Sequence, residues 1–368
     1  MISAGAGWRE HNLAEKADAL NKAGFTDALV RVAQNAPLGS NTAADRQSLI
    51  TSQRILASMV GGKNGLSMMT DAAVGAQVRQ VGIGVYGTTD GTATAIVDPD
   101  HLAFSVQSVG GYYAYDPVTD SYSAISQPVY EASSLEYAVN TRLTYVKISG
   151  LKIVEIPISY AYPVQLGAGS LSVGGSLKFM SGTTHNARIK VDTASANIDD
   201  QLGGSAKDSN AVSIDAGLLF IPNRMPNLTL GLVGKNLTSP SFDTVVAGES
   251  YKVKPQFRGG VNLAVSSNFD IALDYDLSRN ETFIRDLDTQ YIGGGFNFRP
   301  ASWFSVRLGA MKNLASSEEG TVLTGGLGFG LKWFQLMMAV QMSNKKGQLD
   351  GEDIPRYARA NISLVSSW

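Results

Sequence analysis

Hydrophobic and polar residues alternate along most of the chain from Leu66 onward. The clearest stretch covers 322–343, where apolar side chains such as Leu323 and Phe329 occupy one face and Thr, Gly or Lys the other, with a reversal at Trp333–Phe334. The same period recurs at 154–162, 212–220, 269–277 and 304–310. Alternation over such lengths predicts β-strands with one apolar face.

Residues 12–62 have a helical period instead. Apolar positions three or four apart form short stripes, of which Leu13, Ala17 and Leu20 make the first, and glycines such as Gly24 separate them. These helices are short, weakly apolar and rich in Ala, Asn and Gln. We therefore expect them to form a plug or cover rather than an independent core.

Alternation alone fits both a soluble sandwich and a membrane barrel, so other features must decide. The segments run to about 10–14 residues, longer than the usual 5–6 of soluble sheets and sufficient to cross a bilayer. Aromatic residues close to strand ends are typical of membrane interfaces. Those predicted to lie there are Tyr162, Tyr291, Trp303, Trp333 and Trp368. The pattern favours an all-β, antiparallel transmembrane β-barrel with an N-terminal helical plug or cover.

Sixteen segments are candidate strands, including separate ones at 80–88 and 92–108 and at 134–150 and 151–166. Bacterial barrels have an even number of strands, and we predict about 14, with 16 as the alternative. The division is a first strand region at 1–11, a helical insert at 12–63 and the barrel at 64–368. Long polar linkers are expected on one side, and tight turns on the other. The linkers are 110–133, 183–209, 238–252, 279–288 and 344–355, and the turns lie at Gly150, Ser267–Asn268, Pro300–Ser302 and Trp333–Phe334.

Composition excludes several classes of protein. Only 17% of the 368 residues are charged and the net charge is −2, which argues against a basic nucleic-acid binder and an acidic disordered chain. There is no cysteine, so disulfides, thiolate metal sites and cysteine nucleophiles are impossible. The three histidines show no metal-ligand spacing. We predict no catalytic residues, no metal site, no cofactor and no enzymatic activity.

The ends of the chain carry two further signals. The first residues, MISAGAGWRE, have neither a basic segment nor an apolar one, so for an exported protein we expect this N-terminus to belong to the mature or trimmed form. The last strand ends on Trp368. A final strand closing on an aromatic residue resembles the signal that the outer-membrane barrel-assembly machinery reads, so we expect that machinery as a partner.

Charged residues on the polar face of the strands would line the lumen of a barrel. By parity these are Lys235, Arg258, Asp270, Asp274, Asp276, Arg307, Lys332 and Arg359. Buried charges need partners, because an isolated one costs several kcal/mol. The set is interpreted either as a structural network that fixes the plug or as a charged constriction that contacts a ligand.

Five segments, in this order and spacing, resemble one family. They are LGLVGKNLT at 230–238, YKVKPQFRGGV at 251–261, ALDYDLSRNETF at 272–283, TQYIGGGFNF at 289–298 and VRLGAMKNL at 306–314. Together they resemble the TraF-like outer-membrane family (conjugal transfer protein TraF), which is similar to PorV and FadL-type barrels. The resemblance is strongest over 150–315 and looser over 64–110.

The resemblance implies a bacterial outer-membrane protein in contact with lipid. FadL-type relatives carry hydrophobic molecules across the outer membrane, whereas PorV-like relatives are partners in protein secretion. We therefore expect passage of small hydrophobic or amphipathic molecules. The alternatives are a non-transporting scaffold in a conjugation, secretion or surface assembly, with a protein partner, and a soluble β-sandwich.

Overall fold

The helices lie in two of the connections between long strands. A computed structural model describes residues 1–62, 64–190, 205–284, 287–331, 333–349 and 351–367. The helices are α1 (Leu13–Lys22), α2 (Phe25–Asn35), α3 (Ala43–Met59), α4 (Gln127–Ser133) and α5 (Leu135–Asn140). None of these helices is long and apolar enough to cross a membrane.

Fourteen strands are long and belong to one sheet. They are β1 (Ile2–His11), β2 (Gly65–Val78), β3 (Val81–Ile96), β7 (Tyr145–Leu166), β8 (Gly169–Ile189), β9 (Ala206–Pro222), β10 (Leu228–Lys235), β13 (Gln256–Ser266), β14 (Phe269–Asp276), β17 (Tyr291–Ala301), β18 (Phe304–Asn313), β19 (Thr321–Leu331), β20 (Phe334–Ser343) and β23 (Tyr357–Ser366). The short strands between them are β4 (Ser105–Ser108), β5 (Gly111–Asp116), β6 (Ser121–Ile125), β11 (Ser241–Asp243), β12 (Ser250–Lys252), β15 (Asn280–Glu281), β16 (Asp288–Thr289), β21 (Lys346–Leu349) and β22 (Glu352–Pro355).

The long strands form a closed antiparallel barrel in which each one pairs with its neighbours in chain order. β1 pairs with both β2 and β23, and this pairing closes the ring. Closure gives every edge a partner, which is a requirement for a sheet in lipid. The predicted fold class and the count of 14 strands are therefore confirmed.

The predicted turn at Gly150 is wrong, and this accounts for one of the two surplus strands. Residues 145–166 form the single strand β7, in which Gly150 pairs with Gly91 on one side and His185 on the other. Likewise β3 runs without a break through the expected gap at 89–91. Glycine resembles a breaker in sequence, but both neighbouring strands continue to hydrogen-bond here and keep the ladder regular.

The outer surface of the barrel is apolar. Alternate positions of each strand point outward, as well-exposed side chains such as those of Ile83, Ile158, Phe179, Leu273 and Leu308 indicate. The intervening positions point to the lumen and carry Gly, Ser, Thr and the charged residues. A closed barrel with an apolar outside and a polar inside is the arrangement of outer-membrane proteins.

The two ends of the barrel differ. One end has short connections, for instance at 79–80, 167–168 and 267–268, and also holds Met1. The other end has all the long connections, including 12–64 and 97–144. Membrane barrels of this kind place the short turns in the periplasm and the long loops outside the cell.

Helices α1 to α3 lie in the long connection between β1 and β2 and not before the first strand. They pack against β4–β6, α4 and α5, and we call this combined structure the cap (residues 12–62 and 97–144). Its apolar core joins Val32, Leu49 and Leu56 of the helices to Val106 and Leu135. The role of 12–63 as a plug or cover remains a prediction, as does the three-part division.

Candidate functional site

Three cavities along the described part of the inner wall are the candidate site. The first, of 460 Å³, is lined by inward glycines of four strands, including Gly174 and Gly217, and by Asp274. The second, of 310 Å³, is lined by Asp274, Gly293, Gly309 and Arg307. The third, of 290 Å³, also has Arg307 in its lining. Asp274 lines the first two cavities and Arg307 the second and third, so the three lie side by side along the wall.

Four of the eight predicted lumen residues form ion pairs between strands. The guanidinium of Arg258 donates to Asp276 at 2.6 Å, and the two residues are direct partners in the β13–β14 ladder. Asp270 is paired with Arg299 of β17 and also accepts from Asn297 at 3.2 Å. These contacts fit the interpretation as a structural network.

Arg359 and Asp71 form an ion pair across an intervening strand. Arg359 lies on β23 and Asp71 on β2, and Gly5 of β1 lies between them in the ring. A β-carbon at Gly5 would stand 2.6 Å from the Oδ1 atom of Asp71. The missing side chain is therefore what allows the guanidinium to reach the carboxylate.

Three predicted lumen residues have other surroundings. Asp274 has no ion-pair partner in the described part of the chain and faces Gly260. The guanidinium of Arg307 donates to the thioether sulfur of Met337 at 3.3 Å. Lys235 is exposed at the last position of β10. Lys332 lies outside the described residues.

A second group of charges lies in the lumen near the long-loop end and was not predicted. The guanidinium of Arg9 is buried, bonds to the carboxylate of Glu319 and donates to the hydroxyl of Tyr291 at 3.2 Å. The same hydroxyl donates to Glu319. Tyr291 was predicted to lie at the membrane interface. It occupies one of the β17 positions whose side chains point into the lumen, and there it joins this network.

Lys178 of β8 is held in a similar way. Its buried ammonium lies 3.2 Å from Glu155, 3.0 Å from Asp215 and 2.6 Å from the side-chain oxygen of Asn236. Three acceptors match the three N–H donors of an ammonium group. Charges that are fully paired in this way fix the wall and leave no free group for a ligand.

Two connections from the long-loop end fold into the lumen. Phe242 of β11 is fully buried against Gly182, Leu151 and Met180 on the inner wall. Its partner in the β11–β12 pair is Tyr251.

Tyr251 stacks on Phe283 of the β14–β17 connection with ring centroids 4.4 Å apart. The next residue, Ile284, is 1% exposed, and a β-carbon at Gly65 of β2 would stand 2.7 Å from its Cγ1 atom. We call Phe242, Tyr251, Phe283 and Ile284 the transverse cluster.

The transverse cluster lies on the long-loop side of the cavities, and we interpret it as an apolar barrier. Burial raises the pKa of Tyr251 to about 12, and the carboxylates of Asp90 and Glu281 add to the shift. The phenol therefore stays neutral at physiological pH. The barrier consists of side chains on two connections and not of barrel strands.

Sequence reasoning missed the residues of this barrier for a physical reason. Phe242 and Ile284 lie in segments classed as polar linkers, and nothing local indicates that a linker turns inward. Arg9, in contrast, had a usable signal, because Gly5, Gly7 and Arg9 share the polar face of the first strand.

Three other aromatic candidates lie at the short-turn end of the barrel, on different strands or turns. Tyr162, Trp303 and Trp333 are each more than half exposed there. Their contact with the membrane interface remains a prediction. Trp368 lies outside the described residues. No group of three or more His, Asp or Glu residues suited to a metal ion is present in the described ranges.

Comparison with known proteins gives one family and several similar structures. Residues 2–276 match the family described as "F plasmid transfer operon, TraF, protein". No curated protein sequence matches the chain.

Two of the similar solved structures are toluene transporters. The Ralstonia pickettii toluene transporter TbuX is 12% identical, with 89% of this chain and 93% of that chain covered and a TM-score of 0.42. The P. putida toluene transporter TodX is 9% identical, with 99% and 87% covered and a TM-score of 0.42. The CymD monoaromatic hydrocarbon channel is 14% identical, with 90% and 95% covered and a TM-score of 0.41.

Proposed function

We propose that this chain, which belongs to the TraF family of the F plasmid transfer operon, passes small hydrophobic or amphipathic molecules across the bacterial outer membrane. The outer-membrane location follows from the closed barrel of 14 strands and its apolar exterior. Transport is the proposed activity, and it requires no covalent chemistry on the solute.

The observation that carries the proposal is an apolar barrier on the long-loop side of glycine-lined cavities in the barrel wall. The side chains of the transverse cluster pack on one another and on the inner wall. We infer that they separate the three cavities from the long-loop end. An apolar solute can replace such contacts at little cost, since it offers the same surface to the neighbouring side chains. An ion or a sugar would have to be desolvated there.

The chemistry named for similar structures agrees with this proposal but does not support it independently. Those proteins are described as toluene transporters and a monoaromatic hydrocarbon channel. The proposal for this chain depends on the barrier and the cavities alone.

Uptake of an apolar fluorophore by whole cells tests the proposal. N-phenyl-1-naphthylamine fluoresces in membranes and is held back by an intact outer leaflet. Cells of a Gram-negative host that make this barrel should take it up faster than cells that make an unrelated closed barrel at equal abundance. Equal rates in the two strains would contradict transport of small hydrophobic molecules.

A second candidate is a scaffold that binds another protein outside the cell, and one surface feature favours it. Leu38 and Val109 are 94% and 96% exposed on neighbouring tips of the cap, which the Ser108 hydroxyl joins by donating to the carbonyl of Ala36. Apolar side chains this exposed are typical of contact surfaces when they lie together.

The two candidates make different predictions for the cap. Replacing Leu38 and Val109 with Ser should leave fluorophore uptake unchanged if the barrel is a transporter. If the barrel is a scaffold, the same two substitutions should abolish co-purification of a partner from native outer membranes. Recovery of the barrel alone from wild-type membranes would remove the scaffold function. Recognition of the final strand by the barrel-assembly machinery stays a prediction.

A further inference from the structure

Arg307 differs from four other arginines that face the lumen. Arg9, Arg258, Arg299 and Arg359 are each bonded to a carboxylate. In the described part of the chain Arg307 has no carboxylate partner, and its guanidinium meets only the sulfur of Met337. A thioether is a weak acceptor, so the five donors of this guanidinium are almost unused.

Arg307 lines the third cavity, of 290 Å³, together with further hydrogen-bond donors. Its lining includes Thr324, Gln341, Asn361 and Ser363. The side-chain oxygen of Gln341 already accepts a hydrogen bond from the hydroxyl of Tyr357 at 2.9 Å. The amide nitrogen of Gln341 is therefore the end that is left for a ligand.

The other side-chain amide in the lining is occupied in the same manner. The side-chain oxygen of Asn361 accepts from the hydroxyl of Ser363 at 3.0 Å. Among the residues that line the cavity, Arg307 carries the only formal charge. Asp71, which lies next to Asn361, is neutralised by Arg359. Donors and one positive charge without a carboxylate define a site for an anion.

We propose that this cavity binds the anionic head group of a soluble amphipathic molecule, with a carboxylate as the simplest case, through Arg307 and Gln341. The barrel wall separates the cavity from membrane lipid, so the ligand comes from the solution that fills the lumen. Met337 and Ala339 give the apolar part of the ligand a surface to lie on. The inference rests on the proposed transport function and adds an anionic class of solute to it.

Calorimetric titration of the purified full chain in an uncharged maltoside detergent tests the site. Octanoate is the probe, and octan-1-ol and octylammonium are the neutral and cationic controls of equal chain length. Octanoate should bind tightest. Arg307→Met should weaken it about tenfold or more, the usual worth of a charged hydrogen bond, and should leave octan-1-ol unchanged.

Two further variants make the result specific. Gln341→Glu keeps an acceptor for Tyr357 but replaces the free amide by a carboxylate, so it should repel octanoate and favour octylammonium. Lys235→Gln removes a positive charge that lines none of the three cavities and should leave all three affinities unchanged. A variant is folded if its unheated sample migrates faster on an SDS gel than the same sample after heating.

The proposal is overturned if wild-type protein binds octanoate no better than octan-1-ol, or if Arg307→Met retains the preference. Either result leaves the proposed transport function intact, provided that uptake of the neutral fluorophore still depends on the barrel. Loss of that dependence would remove the transport function itself.

Discussion

Gly65 and Ile284 touch although they belong to opposite sides of the barrel. Gly65 begins β2, and Ile284 lies in the connection that follows β14, seven strands away in a ring of 14. The connection must therefore cross the full width of the lumen to make the contact. The absence of a side chain at Gly65 gives Ile284 the room in which it is buried.

A disulfide at this contact should close the barrel. A β-carbon at Gly65 would stand 2.7 Å from Ile284 Cγ1, so the two β-carbons can be no more than about 4.2 Å apart, within the usual range of disulfides. The chain has no other cysteine to interfere. Gly65→Cys with Ile284→Cys should abolish fluorophore uptake when oxidised and restore it on reduction.

Each single cysteine variant is the control, and its uptake should not respond to oxidant or reductant. If the oxidised double variant takes up the fluorophore at the wild-type rate, the transverse cluster does not lie on the route of the solute. Mass spectrometry of the oxidised protein verifies that the bond has formed.

Shortening Phe242 should loosen the barrier. Phe→Ala in a packed cluster costs about 3–5 kcal/mol, and here the loss falls on the contact between β11 and the inner wall at Gly182. Phe242→Ala should therefore speed fluorophore uptake, while the barrel keeps its strand pairs. Uptake rates in whole cells, normalised to barrel abundance, measure the effect.

Phe179→Ala is the matched control for this experiment. Phe179 lies on β8, as does Gly182, but it is 48% exposed on the outer surface. It should leave the uptake rate unchanged. Equal acceleration by both variants would show a general weakening of the barrel and not an opened barrier.

The barrel was predictable from the sequence because its determinant is local. Lipid outside and a polar lumen inside impose a period of two on each strand, and residues such as Leu323 and Phe329 report it directly. Counting the segments gives sixteen candidates, two more than the strands of the barrel. The errors at Gly150 and at 89–91 arose where glycine interrupts the pattern of side chains without interrupting the hydrogen bonds.

The barrier was not predictable for the opposite reason. Phe242 and Ile284 are buried by residues more than fifty positions away, Gly182 and Gly65. A glycine that accommodates a distant side chain looks the same in sequence as any other glycine. The charged residues of the lumen were predictable in part. Alternation along a strand indicates that their side chains point inward, but it does not indicate which residue each one pairs with.

Breaking the pair of Arg9 and Glu319 should destabilise the barrel strongly. Both side chains are almost fully buried, and removal of one leaves the other as an unpaired buried charge, at a cost of about 3–5 kcal/mol. Arg9→Met should lower the temperature at which the protein loses its folded migration in SDS.

The double variant, Arg9→Met with Glu319→Met, separates charge from packing. It removes both charges together, so much of the lost stability should return. Tyr291→Phe, which removes one hydroxyl from the network, should cost less than Arg9→Met. A double variant as unstable as the two single losses combined would show that the pair matters through its shape and not its charge.

Protonation of His101 should stabilise the cap. Its Nδ1 atom lies 2.7 Å from the carboxylate of Asp98 and its Nε2 atom 2.8 Å from the carbonyl oxygen of Glu131. Both partners are acceptors, so the doubly protonated ring satisfies both. Burial alone would lower the pKa of His101, but the bonds to Asp98 and Glu131 outweigh it and raise the pKa above its ordinary value.

The sign of the pH effect follows from this shift. A raised pKa means that the stabilisation is complete below the unfolded value of about 6.5 and is lost as the pH rises through the folded value. Amide exchange in α4 and α5 should therefore speed up between pH 6 and pH 8.5, beyond the intrinsic pH dependence of exchange. His101→Gln, with one donor group on its amide nitrogen, should be less protected at pH 6 and should lack the additional change, whereas His185→Gln on the barrel wall should retain it. An unchanged response in His101→Gln would show that another group controls the cap.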